Sequence, residues 1–399
     1  MGKGVAYSTT EGVHLLNVPA ERMSAISGEP SHFADRYEAE GGSRLGFAER
    51  RFFANYLGTV LDEAVASGRT ELVEATAVSS SRNGSGWHIR FDDGSSVAAE
   101  ALVLAIGNQE PDLLAPFAHA GPHFIDNPWG LDARAAVKDL ASSGGAALMV
   151  GTGLTMVDLA LSLDAAGHKG TIVALSRRGL APRAHADTTP APVERDEIPM
   201  GSVLGLLRWL RRRSAQVGWR AAIDSLRPHS HALWQSLDLD QQVRFLRHAR
   251  PWWDVHRHRI APEVGSTIAG LVADGRLEIV AGKIISARPT SDGLEVQFRR
   301  RRSPKSEART FFYAFNCTGP LHSISRTKNP LVRSLLDAGV VRPDRLGIGL
   351  EVDEASRAGE RTWAVGPLSK GRYWEIIAVP DIREQAAAVA EDIAKELAR

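Results

Sequence analysis

Hydrophobic positions recur along the chain with two periods, near 3.6 in some segments and near 2 in others. In "SRLGFAERRFFANYLGTVLDEAVASG" the apolar residues from Phe52 to Val65 keep helical spacing, and the run ends near Gly68, which predicts a helix. "ELVEATAVSSS" predicts a short strand. "GWHIRFDDGSSVAAEALVLAIGN" predicts a strand, a turn at Asp93-Gly94, and a second strand that becomes apolar on both faces from Ala101 to Ile106. Pro and Gly crowd the stretch from Pro111 to Gly130, as in a connector. "GGAALMVGTGLTMVDLALSLDAAGHKGTIVALSRRG" then predicts a buried strand (Ala146 to Val150), a glycine turn, a helix and a second buried strand (Thr171 to Leu175), which is a βαβ unit. From about Arg183 to Pro262 the chain is rich in Arg, His and Trp with a helical period, and reads as a helical insertion. Strands return in "RLEIVAGKIISARP", "GLEVQFRR" and "TFFYAFNCTGP". The closing "DIREQAAAVAEDIAKELAR" predicts a helix that starts at Asp381 and turns its alanines inward.

The pattern contains an echo. "WHIRFDDG…ALVLAIGN" and "LEVQFRRR…FFYAFNCTGP" share one layout: a strand, a polar turn, then an apolar strand that ends on a small residue and a glycine, Gly107 or Gly319. The basic run Arg299 to Arg302 falls at the second turn and is expected to be solvated.

Composition narrows the classes. The chain has 399 residues, enough for two or three domains, with 43% hydrophobic and 24% charged residues, as in an ordinary globular protein with a core. A net charge of +1 argues against a nucleic-acid partner. The single cysteine, Cys317, excludes a disulfide framework and a paired-thiol redox centre, and fits a reducing compartment. No apolar run reaches the ~18 residues of a membrane span, so the cytoplasm is the expected location. Met1-Gly2 invites an acylation reading, but Ala6 stands where Ser or Thr is wanted.

The sharpest chemical signal is Gly151-Thr152-Gly153-Leu154-Thr155-Met156, which follows a buried strand and opens a helix. The first glycine permits a tight turn. The second lets the backbone approach a pyrophosphate, which the helix N-terminus favours. Met156 occupies the third position, so helix and strand must pack differently there. The alternative is a plain structural turn. At the end of the second strand stand Arg177 and Arg178 with no acid, which favours NADP(H), whose 2′-phosphate suits a guanidinium, over NAD(H). The alternative is a solvated charge pair. In "RHARPWWDVHRHR", Arg250, Trp252, Trp253, His256 and Arg257 fall within a few turns; arginines suit a small anion and tryptophans a flat ring. An amphipathic packing helix is the competing reading. His256 and His258 have no third ligand nearby in sequence, so no metal site is expected.

"LAIGN" and "NCTGP" resemble the strands at which flavoproteins with two dinucleotide-binding domains cross between those domains. With "GKGVAYSTTEGVHLLNVPAERMSA", "VGTGLTMVDLALSL", "FLRHARPWWDVHRHRIAP" and "GPLSKGRYWEIIAVPDIREQA", they resemble one family across essentially the whole chain. It is the family of FAD/NAD(P)-binding proteins that includes FAD-dependent urate hydroxylase and the nitrosuccinate-forming L-aspartate N-monooxygenase. The resemblance implies an α/β fold of two Rossmann-like, three-layer dinucleotide-binding domains. Residues 1–110 and 316–399 would form the FAD domain, 111–182 and 263–315 the NADP domain, and 183–262 a substrate-side helical insertion. It implies FAD and NADP as cofactors and an FAD- and NADPH-dependent monooxygenase that takes oxygen and a small polar metabolite. Asn17, Val18, Pro19 and Met23 would sit against the flavin. Gly107, Thr318 and Gly319 would mark the crossings, and Gly366 through Trp374 would close the other side. The helix near Asp381 would aim its N-terminus at the flavin ring.

One departure stands out. The family begins with a strand–glycine turn–helix unit for the ADP half of FAD, whereas this sequence shows one Gly-x-Gly fingerprint, at Gly151. Roughly 40 residues of a βα unit and a second strand are therefore expected to be missing, through a downstream start codon or a truncated gene. Such a loss would expose apolar sheet edges. Two other functions compete: an NADPH-dependent flavin reductase, and a non-catalytic NADP-binding relic or regulator. No general base can be assigned from the sequence.

Overall fold

The computed structural model describes residues 4–84 and 86–398, so the acylation reading at Gly2 lies outside the described residues. The opening segment has little regular structure. Its apolar residues Leu16, Ala20 and Met23 are buried against Phe33 and the helix Arg50–Ala66 (α1), which contributes Phe53 and Tyr56. The Phe33 ring lies 5.0 Å from both Phe53 and Tyr56, so aromatic edge contacts hold the loop where a strand ladder is lacking. Gly68, with φ +72°, follows α1.

Ala77–Asn83 (β1), Gly86–Phe91 (β2) and Ser96–Ala99 (β3) form an antiparallel meander. Two sequence expectations need correction here. Strand pairing begins only at Ala77, and residues 71–76 belong to no ladder. The single strand expected after Asp93-Gly94 is two, because Leu102–Leu104 (β4) leaves the meander and runs parallel to Thr362–Ala364 in another sheet. Among the described residues β4 has a strand neighbour on one edge only, and Val103 is exposed.

Phe124–Ile125 (β5) and Ala147–Val150 (β6) lead into the helix Leu154–Ala165 (α2) and the strand Ile172–Ser176 (β7), the βαβ unit expected from the pattern. All four residues of β6 are buried, which is why the strand reads apolar on both faces. Helices then follow one another through the insertion and end in Arg250–Arg257 (α3). Leu277–Thr290 (β8), Gly293–Arg300 (β9), Ser306–Phe311 (β10) and Tyr313–Asn316 (β11) complete a seven-stranded sheet of order β10-β9-β8-β7-β6-β11-β5. Its five strands from β8 to β5 are parallel, and β9 and β10 extend it antiparallel. Arg357–Gly359 (β12), Thr362–Ala364 (β13) and the helix Val379–Leu397 (α4) close the chain, with β12-β13-β4 as a separate sheet.

The echo in the sequence is an echo in topology. In both copies an antiparallel pair passes, after one or two residues, into a short strand of a parallel ladder: β2–β3 into β4, and β9–β10 into β11. The basic run is solvated as expected at Arg299, Arg301 and Arg302, and only Arg300 is partly covered. Arg300 pairs with Glu278 and Glu307, as Arg309 does. In α4 the alanines are not the buried face. Only Val389 is buried, and Ile382 and Ile393 flank it against Trp363 and Val365, because the larger side chains reach the core first.

One ion pair ties the opening segment to the large sheet. Arg50 at the start of α1 donates from Nη1 and Nη2 to the Asp158 carboxylate on α2, at 2.8 and 2.9 Å, and from Nε to the Leu15 carbonyl at 2.9 Å. Both side chains are about nine-tenths buried. Losing one partner of such a pair strands a buried charge, at a cost of about 3–5 kcal/mol, whereas an apolar pair of similar volume is tolerated. Arg50→Met should therefore lower unfolding stability in urea by that amount, and Arg50→Met/Asp158→Leu should recover most of it. A double variant no more stable than the single one would contradict this account.

Candidate functional site

The turn after β6 is shaped by packing before any ligand is considered. Gly151 has φ +124°, and a Cβ there would lie 2.1 Å from the Cys317 carbonyl, so the neighbouring strand end admits only glycine. Gly153, by contrast, faces open space: nothing lies within 4 Å of where its Cβ would be. Thr155 is half-buried in the first turn of α2, and Met156 is fully buried in the core where the third glycine was sought. The exposed backbone at Gly153 and the helix N-terminus leave room for an anionic group. At the end of β7 the two arginines part. Arg178 donates to the His248 and Arg247 carbonyls at 2.8 and 3.1 Å, anchoring the insertion, while Arg177 is exposed and bonded to no described residue.

Three glycines that end short strands or follow them converge. Gly107 (φ +65°) after β4, Gly319 (φ +87°) after β11 and Gly366 (φ +70°) after β13 all turn the chain with left-handed backbone. Gly107, Pro320, Leu321, Pro367 and Lys370 line one cleft with about 280 Å³ of non-atom space, part of it open to solvent. Gly366 donates its N–H to Gln385 of α4 at 2.7 Å, and the Thr318 hydroxyl donates to Asn316 at 2.7 Å. The cleft is cationic. Burial, then Arg250, pushes Lys370 down to about 8. Burial, then Arg250, Lys370 and Arg177, pushes His322 down to about 4.

A second polar concentration lies between the opening segment, the insertion and the chain before α4. Glu375 is almost fully buried and accepts from Trp253 Nε1 at 2.7 Å, with Arg257 Nε at 3.3 Å and His258 Nε2 at 3.9 Å. Burial alone would raise its pKa, but His258, Arg257 and the Trp253 N–H hold it below the usual range. Burial raises Asp381 against the pull of Arg227, Arg257 and His231. Burial, then Arg257 and Arg22, pushes Arg227 down to about 10.

The residues singled out in the sequence divide accordingly. Gly107, Gly151, Gly153, Arg177, Thr318, Gly319, Gly366 and Arg250 surround the glycine-lined cleft or its neighbouring turn. Trp253 and Arg257 join the Glu375 cluster. Trp252 is instead half exposed, and His256 bonds to the Trp252 carbonyl with its ring edge against Trp219, so neither joins the others. In the opening loop, the Asn17 carbonyl accepts from His185 at 3.0 Å, Val18 packs beside α1, Pro19 precedes a short turn and Met23 is buried in core. Trp374 is stacked on Trp234, with centroids 5.0 Å apart. Sequence reasoning missed Lys370, His322, Arg227 and Glu375, which belong to no motif; Lys370 and Glu375 lie inside the quoted segment that ends the resemblance.

Residues 1–109 match the model of a family described as FAD-NAD(P)-binding. Uncharacterized proteins of Mycobacterium tuberculosis and Mycobacterium bovis are 25% identical over 136 residues, 32% of this chain and a quarter of their own length. Among solved structures, ornithine hydroxylase from Pseudomonas aeruginosa superposes with a TM-score of 0.64 at 14% identity, covering 99% of this chain and 89% of that one. Ornithine N-hydroxylase from Kutzneria sp. 744, solved with reduced FAD, NADP+ and L-ornithine, gives 0.63 at 14% identity over 99% and 90%. L-lysine 6-monooxygenase from Pseudomonas syringae gives 0.61 at 19% identity over 94% and 86%. The chain therefore has the mixed α/β flavoprotein fold that these enzymes share.

Lys370 has a pH signature of its own. Its folded pKa, about 8, lies below the ordinary 10.5, so between those values the unfolded chain binds more protons and stability rises with pH. Lys370→Met should remove this group's part of the rise, flattening the urea midpoint across that window relative to the parent protein. An unchanged pH profile would show that Lys370 is not held in a desolvated, cationic setting.

Proposed function

We propose that this chain is an FAD- and NADPH-dependent monooxygenase acting on a small polar metabolite. The observation that carries the reading is the convergence of Gly107, Pro320 and Pro367 on one cationic cleft beside the β6–α2 turn. The residues fit a dinucleotide at that turn: Gly153 has open space above it, α2 presents an N-terminus, and Arg177 has a free guanidinium. The cleft beside it, walled by Gly107, Pro320, Leu321, Ile348, Pro367 and Leu368, would take the apolar face of a flat ring. Bound there, FAD would supply the oxygen-activating chemistry and NADPH the reducing electrons.

This chain's own residues orient, desolvate and balance charge. Arg177 would hold a 2′-phosphate. Lys370 and Arg250 would offset negative charge gathering in the cleft, where low dielectric strengthens their effect, while the depressed pKa keeps His322 neutral. Trp234 and Phe245 of the insertion pack edge and face with Trp374, which would help exclude water from that side. Trp253 and Arg257, fixed by Glu375, would face the substrate. The likeness to FAD-dependent urate hydroxylase and L-aspartate N-monooxygenase supports a small anionic substrate. The domain division read from the sequence and a cytoplasmic location belong to the same proposal. No helix of the described residues is long and apolar enough to cross a membrane.

A flavin reductase serving a partner is the second reading. Cys317 cannot relay electrons as a thiolate within it, since complete burial drives its pKa far upward.

Purified protein supplied with FAD should retain flavin absorbance through gel filtration and oxidise NADPH faster than NADH. A charge-assisted contact contributes about 1.5–3 kcal/mol, so Arg177→Ala should raise the KM for NADPH roughly ten- to a hundredfold and leave that for NADH in place. Equal losses with both nucleotides would remove the 2′-phosphate assignment, and protein that stays colourless with excess FAD would sink the flavoprotein reading.

A further inference from the structure

The insertion contains a helix, Val203–Val217, in which none of the 15 residues is buried. It lies along the surface for about 22 Å. Its two sides differ. Leu206, Trp209 and Leu210 pack against Val193, Ile198 and Leu233. Arg213 Nη2 donates to the Ala191 and Pro192 carbonyls, both at 3.2 Å, and seats the helix on the chain before it. Ser202 caps the start, its hydroxyl accepting from the Gly205 N–H at 3.1 Å. The underside is thus committed to the protein's own fold.

The opposite side is a stripe of Leu204, Leu207, Arg208, Arg211 and Arg212, which fall three and four residues apart and so share one face. All five are exposed, Leu204 by 54% and Leu207 by 38%. Single exposed leucines are ordinary, but these two lie one turn apart beside three cations. Arg208, Arg211 and Arg212 have no hydrogen-bond or ion-pair partner among the described residues. Like charges at these spacings repel, and nothing local answers them: between Glu197 and Asp224 the chain has five arginines and no carboxylate. A chain of net charge +1 therefore concentrates positive charge on one face of one helix.

The counter-charge that fits this face must also accept two leucines. A protein groove would take the helix by its main apolar side, which is already covered by Val193, Ile198 and Leu233. A nucleic acid would answer the arginines and leave Leu204 and Leu207 in water. A bilayer surface answers both: lipid phosphates accept from guanidiniums in bidentate pairs, and leucines enter the boundary with the acyl chains.

We propose that the helix Val203–Val217 docks this protein on the surface of an anionic phospholipid membrane. Leu204 and Leu207 are the apolar anchors, and Arg208, Arg211 and Arg212 hold the headgroups. Such docking requires no spanning helix, and with two leucines it is peripheral and reversible. It goes beyond the monooxygenase reading and does not depend on it.

The test is cosedimentation of the full chain with vesicles of phosphatidylcholine and phosphatidylglycerol in equal parts, and with vesicles of phosphatidylcholine alone. Binding to the anionic vesicles only is expected, weakening as salt rises. A cation near such a surface strengthens binding about fivefold. Arg211→Gln/Arg212→Gln should therefore weaken it roughly 25-fold, and Arg211→Lys/Arg212→Lys should keep most of it. Leu204→Ser/Leu207→Ser should weaken binding while leaving the steepness of its salt dependence in place. Arg301→Gln/Arg302→Gln, at the exposed turn between β9 and β10, should bind as the parent does. All of these positions are on the surface, and an unchanged urea midpoint reports that each variant is folded. No binding, equal binding to both vesicles, a Gln pair at 211 and 212 that binds as the parent does, or an equal loss from the turn variant would overturn the proposal. So would a leucine variant without effect, which would reduce the contact to diffuse adsorption. A duplex oligonucleotide bound more tightly than the anionic vesicles, and released by the same Gln pair, would assign the face to nucleic acid instead. Flavin retention has no bearing on these outcomes.

Discussion

The buried fork between Arg50 and Asp158 is the constraint on which the arrangement rests. The opening segment has almost no backbone ladder of its own, so its position depends on side chains. Arg50 supplies three donors in a fixed plane and spends them on a carbonyl of that segment and a carboxylate of α2. The opening loop, α1 and the nucleotide-type βαβ unit are thereby held in one register. His14 reinforces it, with Nε2 3.1 Å from both the Asp158 carbonyl and the Ser162 hydroxyl. An arginine is required because only a planar, permanently charged fork can satisfy both partners in a dry place.

With that register fixed, a cleft opens at the strand-end turns, lined by Gly107, Pro320, Leu321, Pro367 and Lys370. A separate buried cluster joins Trp253 and Arg257 of the insertion to Glu375. The cations Lys370 and Arg250 stand together within a chain that is nearly neutral overall, so the positive charge there is local and not a property of the whole surface. Local fields of this kind favour small anions over nucleic acid.

Much of this was legible in the sequence because its signals are local. β6 and β7 are apolar on both faces and could only be buried strands. Gly151 and Gly153 read as a nucleotide turn from their context alone. The repeated strand–turn–strand layout proved to be a repeated passage from an antiparallel meander into a parallel ladder. Other signals misled. Leu102–Leu104 read as one strand with the residues before it, because hydrophobicity is continuous there while hydrogen bonding is not. The alanines of α4 suggested an inward face, yet Ile382, Val389 and Ile393 take it. Trp252 and Trp253 look equivalent on paper, but one reaches Glu375 and the other faces solvent, a difference of 100° around a helix.

The sequence by itself determined the main elements and the glycine turn before α2, since each follows from residue type at short spacing. It also determined that no thiol pair could serve. Only the tertiary structure decided which charges meet. Arg257 and Glu375 are 118 positions apart, and Arg50 and Asp158 are 108 apart. Electrostatic energy depends on distance and burial in space, and neither is encoded in the order of residues along the chain.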